Sequence, residues 1–264
     1  MYNFHSWDEM GIPNYLERLP SEAMSLNIDG EFLCLEELIS DYQTLQVVGR
    51  ELTPYQLNEL NVTGADGTLI ESAKLGSRDI TIKYKLLCDD AVDFRQKFNK
   101  LMHYLNNKEL IFNFKDEPDY FYSGILDKAS TPTGGLLNVI SDFTIHCSSP
   151  WKFSKLYRLD VANGGVIKDD DLIYSVTPET ISFASTAANF KFTNQTQNQT
   201  FSLGTAHSNV VLKPNTGEVT ADNKPILNDI GMFSELENLS IKNGDLIQIT
   251  NGSKAVIQYR RWLL

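Results

Sequence analysis

Cysteine is scarce in this chain: Cys34, Cys88 and Cys147 are the three in 264 residues, an odd number at wide spacing. With no C-x-x-C pair and no histidines at metal-ligand spacing, neither a disulfide framework nor a thiolate metal site is expected. Histidine is just as sparse. His5, His103, His146 and His207 stand outside any H-E-x-x-H, and no serine stands in G-x-S-x-G, which excludes the zinc-peptidase and hydrolase-elbow signatures. Gly134-Gly135 lacks the following Lys-Ser/Thr of a phosphate loop. Long apolar runs are missing too, and the opening MYNFHSWDEMGIPNYLERLP has no basic stretch followed by an apolar one. The expectation is a protein made in the cytoplasm and not inserted in a membrane. On that expectation, the five N-x-S/T sequons beginning at Asn61, Asn194, Asn198, Asn238 and Asn251 are chance occurrences.

Positive charge is nearly absent from the first quarter. Residues 1 to 73 hold thirteen Asp/Glu against two Lys/Arg, while the acidic and basic counts balance in 74–150 and again in 151–264, so the net charge of −11 sits at the front. Tight nucleic-acid binding needs Lys and Arg gathered on one face, and this distribution argues against it. Solubility is the plain use of such charge; a channel that must not hold DNA is another.

What the chain does contain is strand-like text. Thr44 to Val48, Tyr55 to Val62 and Thr68 to Ser72 read as strands, the last two joined by Gly64-Ala65-Asp66-Gly67, a natural hairpin turn. Ile80, Ile82, Tyr84, Leu86 and Cys88 alternate with Thr81, Lys83 and Lys85 at period two. A helix follows over about 91–106, with Ala91, Phe94, Phe98, Leu101 and Leu105 forming one apolar stripe, Asp90 placed to cap it and His103 just off the stripe. Strands resume at Leu110 to Phe114 and Tyr120 to Leu126, separated by Lys115 to Asp119. A long one then carries Leu137, Val139, Phe143, Ile145 and Cys147 on one face.

Strand length changes after Pro150-Trp151, which suggests a domain boundary. Beyond it, apolar runs begin at Ile181, Phe190, Phe201, Val210, Leu239, Leu246 and Ala255. Asn215-Thr216-Gly217, Asn243-Gly244 and Asn251-Gly252 fall between them, as in a small antiparallel sandwich of jelly-roll type. The fold class expected is mainly β in two domains: an acidic arm over 1–30, an N-terminal β-sandwich-like domain with one packed helix over 31–150, and a C-terminal sandwich over 151–264.

Candidate chemistry is thin. Glu36-Glu37 are adjacent carboxylates, and adjacency places nothing across a cleft. Asp169-Asp170-Asp171 lacks the alternating ligands of a calcium loop and reads as a solvated turn. Tyr120-Phe121-Tyr122 must alternate faces in a strand, so at least one points away from its own sheet's core. Tyr259-Arg260-Arg261-Trp262 reads either as a docking tail or as a last strand whose arginines cover an edge.

The order of elements resembles the distal tail proteins of siphophages that infect Gram-positive hosts. The resemblance is carried by Gly49-Arg50-Glu51, by Leu75-Gly76-Ser77-Arg78-Asp79-Ile80-Thr81-Ile82, and by the helix. It continues in Phe114-Lys115-Asp116-Glu117-Pro118-Asp119-Tyr120-Phe121-Tyr122 and Phe143-Thr144-Ile145-His146-Cys147-Ser148-Ser149-Pro150-Trp151. It covers about residues 26 to 153 well and is weaker beyond. It implies a structural virion protein of the tail tip, with no enzymatic activity, cofactor or metal. Six copies would form a ring, single or stacked in two, that joins the tail tube to the baseplate and leaves a channel through which DNA passes without specific binding.

The expected partners are the tail tube protein, a tail-associated protein, and a receptor-binding or baseplate protein on a galectin-like second domain. Glu31, Glu36, Glu37 and Asp41 are the candidate channel-lining acids. The rival readings are a stand-alone carbohydrate-binding module for host cell-wall saccharide, which the C-terminal aromatics suggest, and a wall-degrading hydrolase.

Overall fold

The computed structural model describes residues 19–64, 66–132 and 137–264. His5, Pro13, positions 1–18 of the expected arm, Ala65 of the hairpin turn and Gly134-Gly135 lie outside the described residues.

The strict alternation around Ile80 becomes a ten-residue strand whose every second side chain is buried. In chain order the first part contains β1 (Met24–Ile28), β2 (Glu31–Cys34), the one-turn helix α1 (Leu35–Leu38), β3 (Tyr42–Val48), β4 (Tyr55–Asn61) and β5 (Thr68–Leu75). It continues with β6 (Arg78–Leu87), α2 (Ala91–Leu105), β7 (Leu110–Phe114), β8 (Glu117–Ala129) and β9 (Asn138–Cys147). Seven of these strands run antiparallel in the order β2-β1-β7-β8-β9-β6-β3.

β8 joins two halves of that sheet. Its residues up to Gly124 pair with β7, and from Ile125 onward they pair with β9. At the handover a side chain on Gly124 would stand 2.6 Å from Ile145 Cγ2 and 2.8 Å from His146 O, so only glycine fits. α2 buries Leu101 and Leu105 in the same core as Ile80, Ile82, Phe112, Tyr122 and Phe143. Asp90 caps it by accepting from the amides of Val92 and Asp93, both at 2.8 Å. Ala91, read as part of the stripe, is exposed.

Three further sequence readings are corrected here. Met24–Ile28, assigned to the acidic arm, is a sheet strand with Met24 and Leu26 buried. The break at Lys115 to Asp119 shrinks to the turn Lys115-Asp116, and Pro118 sits inside β8. Proline has no amide to give the ladder, and a bulge between Phe112 and Phe114 lets Asn113 Nδ2 donate to the Pro118 carbonyl at 2.9 Å instead. Leu239 to Ile241 is buried but forms only an isolated bridge, Val176 with Ile241.

The later part holds β10 (Lys152–Ser154), β11 (Tyr157–Ala162), β12 (Gly165–Val166), β13 (Thr180–Ser185), β14 (Phe190–Asn194) and β15 (Gln199–Leu203). After them come β16 (Val210–Lys213), β17 (Glu218–Ala221), β18 (Lys224–Pro225), β19 (Leu246–Thr250), β20 (Gly252–Tyr259) and β21 (Trp262–Leu263). Ten of them, β11 to β20, form a six-stranded sheet β11-β20-β13-β16-β17-β18 and a four-stranded sheet β12-β19-β14-β15. Phe183 of the first stacks on Phe190 of the second at 4.1 Å, which seats the sandwich core between the two. The chain divides into two compact units: one runs to Lys152 and includes Leu264, and the other is Phe153–Leu263. No helix among the described residues is long and apolar enough to cross a membrane.

Candidate assembly interface

Among the described residues β4 and β5 pair only with each other, as a two-stranded sheet of their own. Neither strand contains a buried residue, and Tyr55, Leu57, Leu60, Leu69 and Ile70 are each at least half exposed. Cross-strand partners share a face, so Tyr55–Leu75 and Leu57–Ala73 make one face apolar near the root, while Leu60–Leu69 falls on the other near the tip. An isolated hairpin is marginal in water, and an apolar surface on both sides invites a covering partner. Among the described residues two sheet edges are also without a partner strand, β2 and β3, and such edges offer backbone groups to another chain.

The hairpin's root is tightly held. Gly49 has φ +101°, and a side chain there would stand 2.0 Å from the Asp79 carbonyl oxygen. Its amide donates to Glu51 Oε2 at 2.8 Å. Arg50 lies 4.4 Å from the Phe114 ring centre and donates to Asp116 Oδ1 at 2.9 Å, while Arg78 donates to Thr53 Oγ1. Gly49→Ala combines a left-handed alanine with a backbone collision, and a loss of about 2 kcal/mol or more is expected in urea unfolding of the full chain. A loss under about 0.5 kcal/mol would mean that the root yields freely.

The four acids proposed for a channel wall are not equivalent. Glu31 and Glu37 are exposed. Glu36 is buried, and its Oε1 accepts the Thr44 amide at 2.9 Å; burial pushes its carboxyl up despite that bond. It therefore holds α1 against β3 and presents no charge to solvent. Asp41 is exposed but sits 2.9 Å from Lys97 Nζ, which cancels much of its field. The channel reading narrows to Glu31 and Glu37.

The polar clusters in the second unit are structural. His207 Nε2 lies 2.9 Å from Thr205 Oγ1 and 2.8 Å from Asp229 Oδ2, but Thr205 Oγ1 donates to Asp229 Oδ2 at 2.9 Å and Ser185 Oγ is engaged by the His207 backbone amide and carbonyl, so neither hydroxyl gives its proton to the ring. The aspartate run is not simply solvated. Asp169 is buried, accepts from Arg261 Nε at 3.0 Å and Nη2 at 2.6 Å, and also accepts from the Tyr259 hydroxyl. The C-terminal arginine is thus an internal tie. Of the aromatics that suggested sugar stacking, Phe183, Phe190, Phe192, Phe201 and Tyr259 are core residues. Among the described residues no group of His, Cys, Asp or Glu is placed to hold a metal, and the three cysteines are free.

Residues 35–155 match the family profile of the phage tail protein RIFT-related domain. That stretch carries a phage tail domain within a mainly β chain. Over 90% of its length its fold is similar to that of the Dit protein of phage SPP1, the hub of an adsorption apparatus in phages infecting Gram-positive hosts. The two share 18% identity at a TM-score of 0.74, covering 98% of that chain. Two structures of the phage P2 baseplate in its activated conformation, with calcium and with strontium, align at 10% and 11% identity. They cover 90% and 91% of this chain and 97% and 98% of theirs, with TM-scores of 0.49 and 0.48. No curated protein sequence matches the chain.

Proposed function

We propose that six copies close into a ring at the tip of a siphophage tail, joining the tail tube to the baseplate and leaving a bore for DNA. The observation that carries this is the β4–β5 hairpin, an apolar arm without a core of its own, in a chain with a phage tail domain. A heterologous contact whose rotation closes makes a ring, and an arm that docks on the next copy is such a contact. The ring would be built by residues 31–150. The 151–264 sandwich, read as a galectin-like jelly roll, would project outward to meet a receptor-binding or baseplate protein. Glu31 and Glu37 would face the bore, where negative charge keeps DNA from lodging.

Light scattering followed by particle imaging tests the reading. A ring of six times 29.8 kDa, about 179 kDa, is expected. A protein that stays monomeric at every concentration and is absent from purified virions would overturn it. An imaged ring with Glu31 and Glu37 on its outer wall would end the bore assignment alone.

A further inference from the structure

We propose that the turn Met232-Phe233 of the second unit is a preformed anchor for a partner protein that offers an apolar pocket rimmed by lysine and arginine. The proposal rests on the reading above, in which the sandwich meets a further protein, and names the contact. Met232 is 91% exposed and Phe233 87%. Exposed apolar residues scattered singly are ordinary; two large ones side by side, almost wholly in water, are not.

The backbone beneath them is fixed. Residues 229–235 run along β15: the Gly204 amide donates to the Asp229 carbonyl, Gly231 to Ser202 and Glu235 to Thr200, each at 3.0 Å. Between the last two bonds the chain turns over. The Ser234 amide donates back to the Gly231 carbonyl at 2.9 Å, and its Oγ accepts the Ser202 amide at 3.0 Å, which makes Met232 and Phe233 the two central residues of a β-turn. A side chain on Gly231 would stand 2.1 Å from Ser202 Oγ, so the entry to the turn lies flat against its own sheet. Behind it, the Asp229 carboxylate accepts the Thr205 amide and hydroxyl and lies 2.8 Å from His207 Nε2. Ile230 and Leu236, on either side, pack against the second core. The apolar pair thus stands on backbone already ordered by folding, so little freedom is lost when a partner covers it.

Charge selects the occupant. Glu235 and Glu237 follow the turn, both exposed, and neither carboxylate has an ion-pair or hydrogen-bond partner among the described residues. Their field is left for a partner to balance, which calls for Lys or Arg at the rim of whatever receives Met232 and Phe233. A lipid surface is a poor match, because binding would carry both carboxylates to headgroups that repel them where the lipid is anionic. A second copy is a poor match too, since the chain has a net charge of −11.

The test places a photo-cross-linker, Phe233→benzoylphenylalanine, in the full chain made in cells infected by the phage that encodes it, with Ile173→benzoylphenylalanine as the control. A light-dependent adduct with one protein other than this chain is expected, absent from the control and joined at an apolar segment flanked by Lys or Arg. Met232→Ser with Phe233→Ser should leave melting within a degree or two of the parent and weaken binding of that protein, once purified, by roughly a hundredfold or more. Glu235→Lys with Glu237→Lys should weaken it roughly tenfold, and reversing the partner's basic residues should restore it. No adduct, an adduct with lipid or a second copy, one shared with the control, or binding that either double variant leaves unchanged would overturn the proposal. Light scattering reports the ring separately: a monomeric parent that still gives the adduct ends the ring and leaves the anchor, and a ring without the adduct does the reverse.

Discussion

Leu57→Glu combined with Leu69→Glu leaves the chain folded and abolishes its assembly. Both leucines are at least half exposed in the single chain, on a hairpin that adds nothing to either core, so the thermal transition stays within a degree or two of the parent. In a ring they would be covered. Burying a leucine contributes about 1.5–3 kcal/mol, so losing two weakens each contact by roughly two to four powers of ten before the cost of desolvating a carboxylate is added. Light scattering should show monomer mass at concentrations where the parent is assembled. Ile173→Glu, an exposed apolar residue of the second unit, should leave the mass unchanged. Assembly of the double variant at the parent's concentration would show that the arm is not the joint.

Arg261→Met is expected to be the most damaging single change in the second unit. The guanidinium makes two bonds to the buried Asp169 carboxylate and one to Asp171 at 2.8 Å, and lies 4.0 Å from the centre of the Tyr157 ring. Removing one member of a buried pair strands the other and costs about 3–5 kcal/mol, a fall of roughly 10 °C or more in a domain of this size. Adding Asp169→Asn should recover part of the loss, because no charge is then left unpaired.

The pair also sets an acid limit. Burial alone would raise the Asp169 carboxyl; hydrogen bonds from Arg261 and Tyr259 outweigh it and hold the carboxyl below the usual range. A depressed folded-state value means the contribution is complete at neutral pH and is lost as pH falls from about 4 through that value. Calorimetry between pH 7 and 3 should show the parent losing stability in that window and Arg261→Met losing less. A mutational loss under about 1 kcal/mol would reduce the pair to a surface contact.

Periodicity made the parent strands legible. Period two marked β6 and β9, the i, i+3, i+4 stripe marked α2, and Asp66-Gly67 marked the hairpin. What it did not carry was where an alternating strand sits. β4 and β5 read as the two strands of a hairpin, and a strand's text does not report whether a core lies beneath it. Nor does an acidic count separate Glu37 at the surface from Glu36 three ångströms from a buried amide; that difference arises only when α1 packs on β3. Asp169 and Arg261 stand 92 residues apart, and nothing local to either announces the other.

The rigid entry at Gly49 bears on how accurately such a particle could be put together. A hairpin of seven or eight residues at about 3.3 Å each is a lever some 25 Å long, so a tilt of ten degrees at its base displaces the far end by roughly 4 Å, close to the spacing between neighbouring strands. Small angular slack in one subunit would accumulate around the circle and leave it a step short or a step long. By pinning the pivot against the backbone of its own sheet, the molecule fixes the angle at which the arm would meet a neighbouring copy.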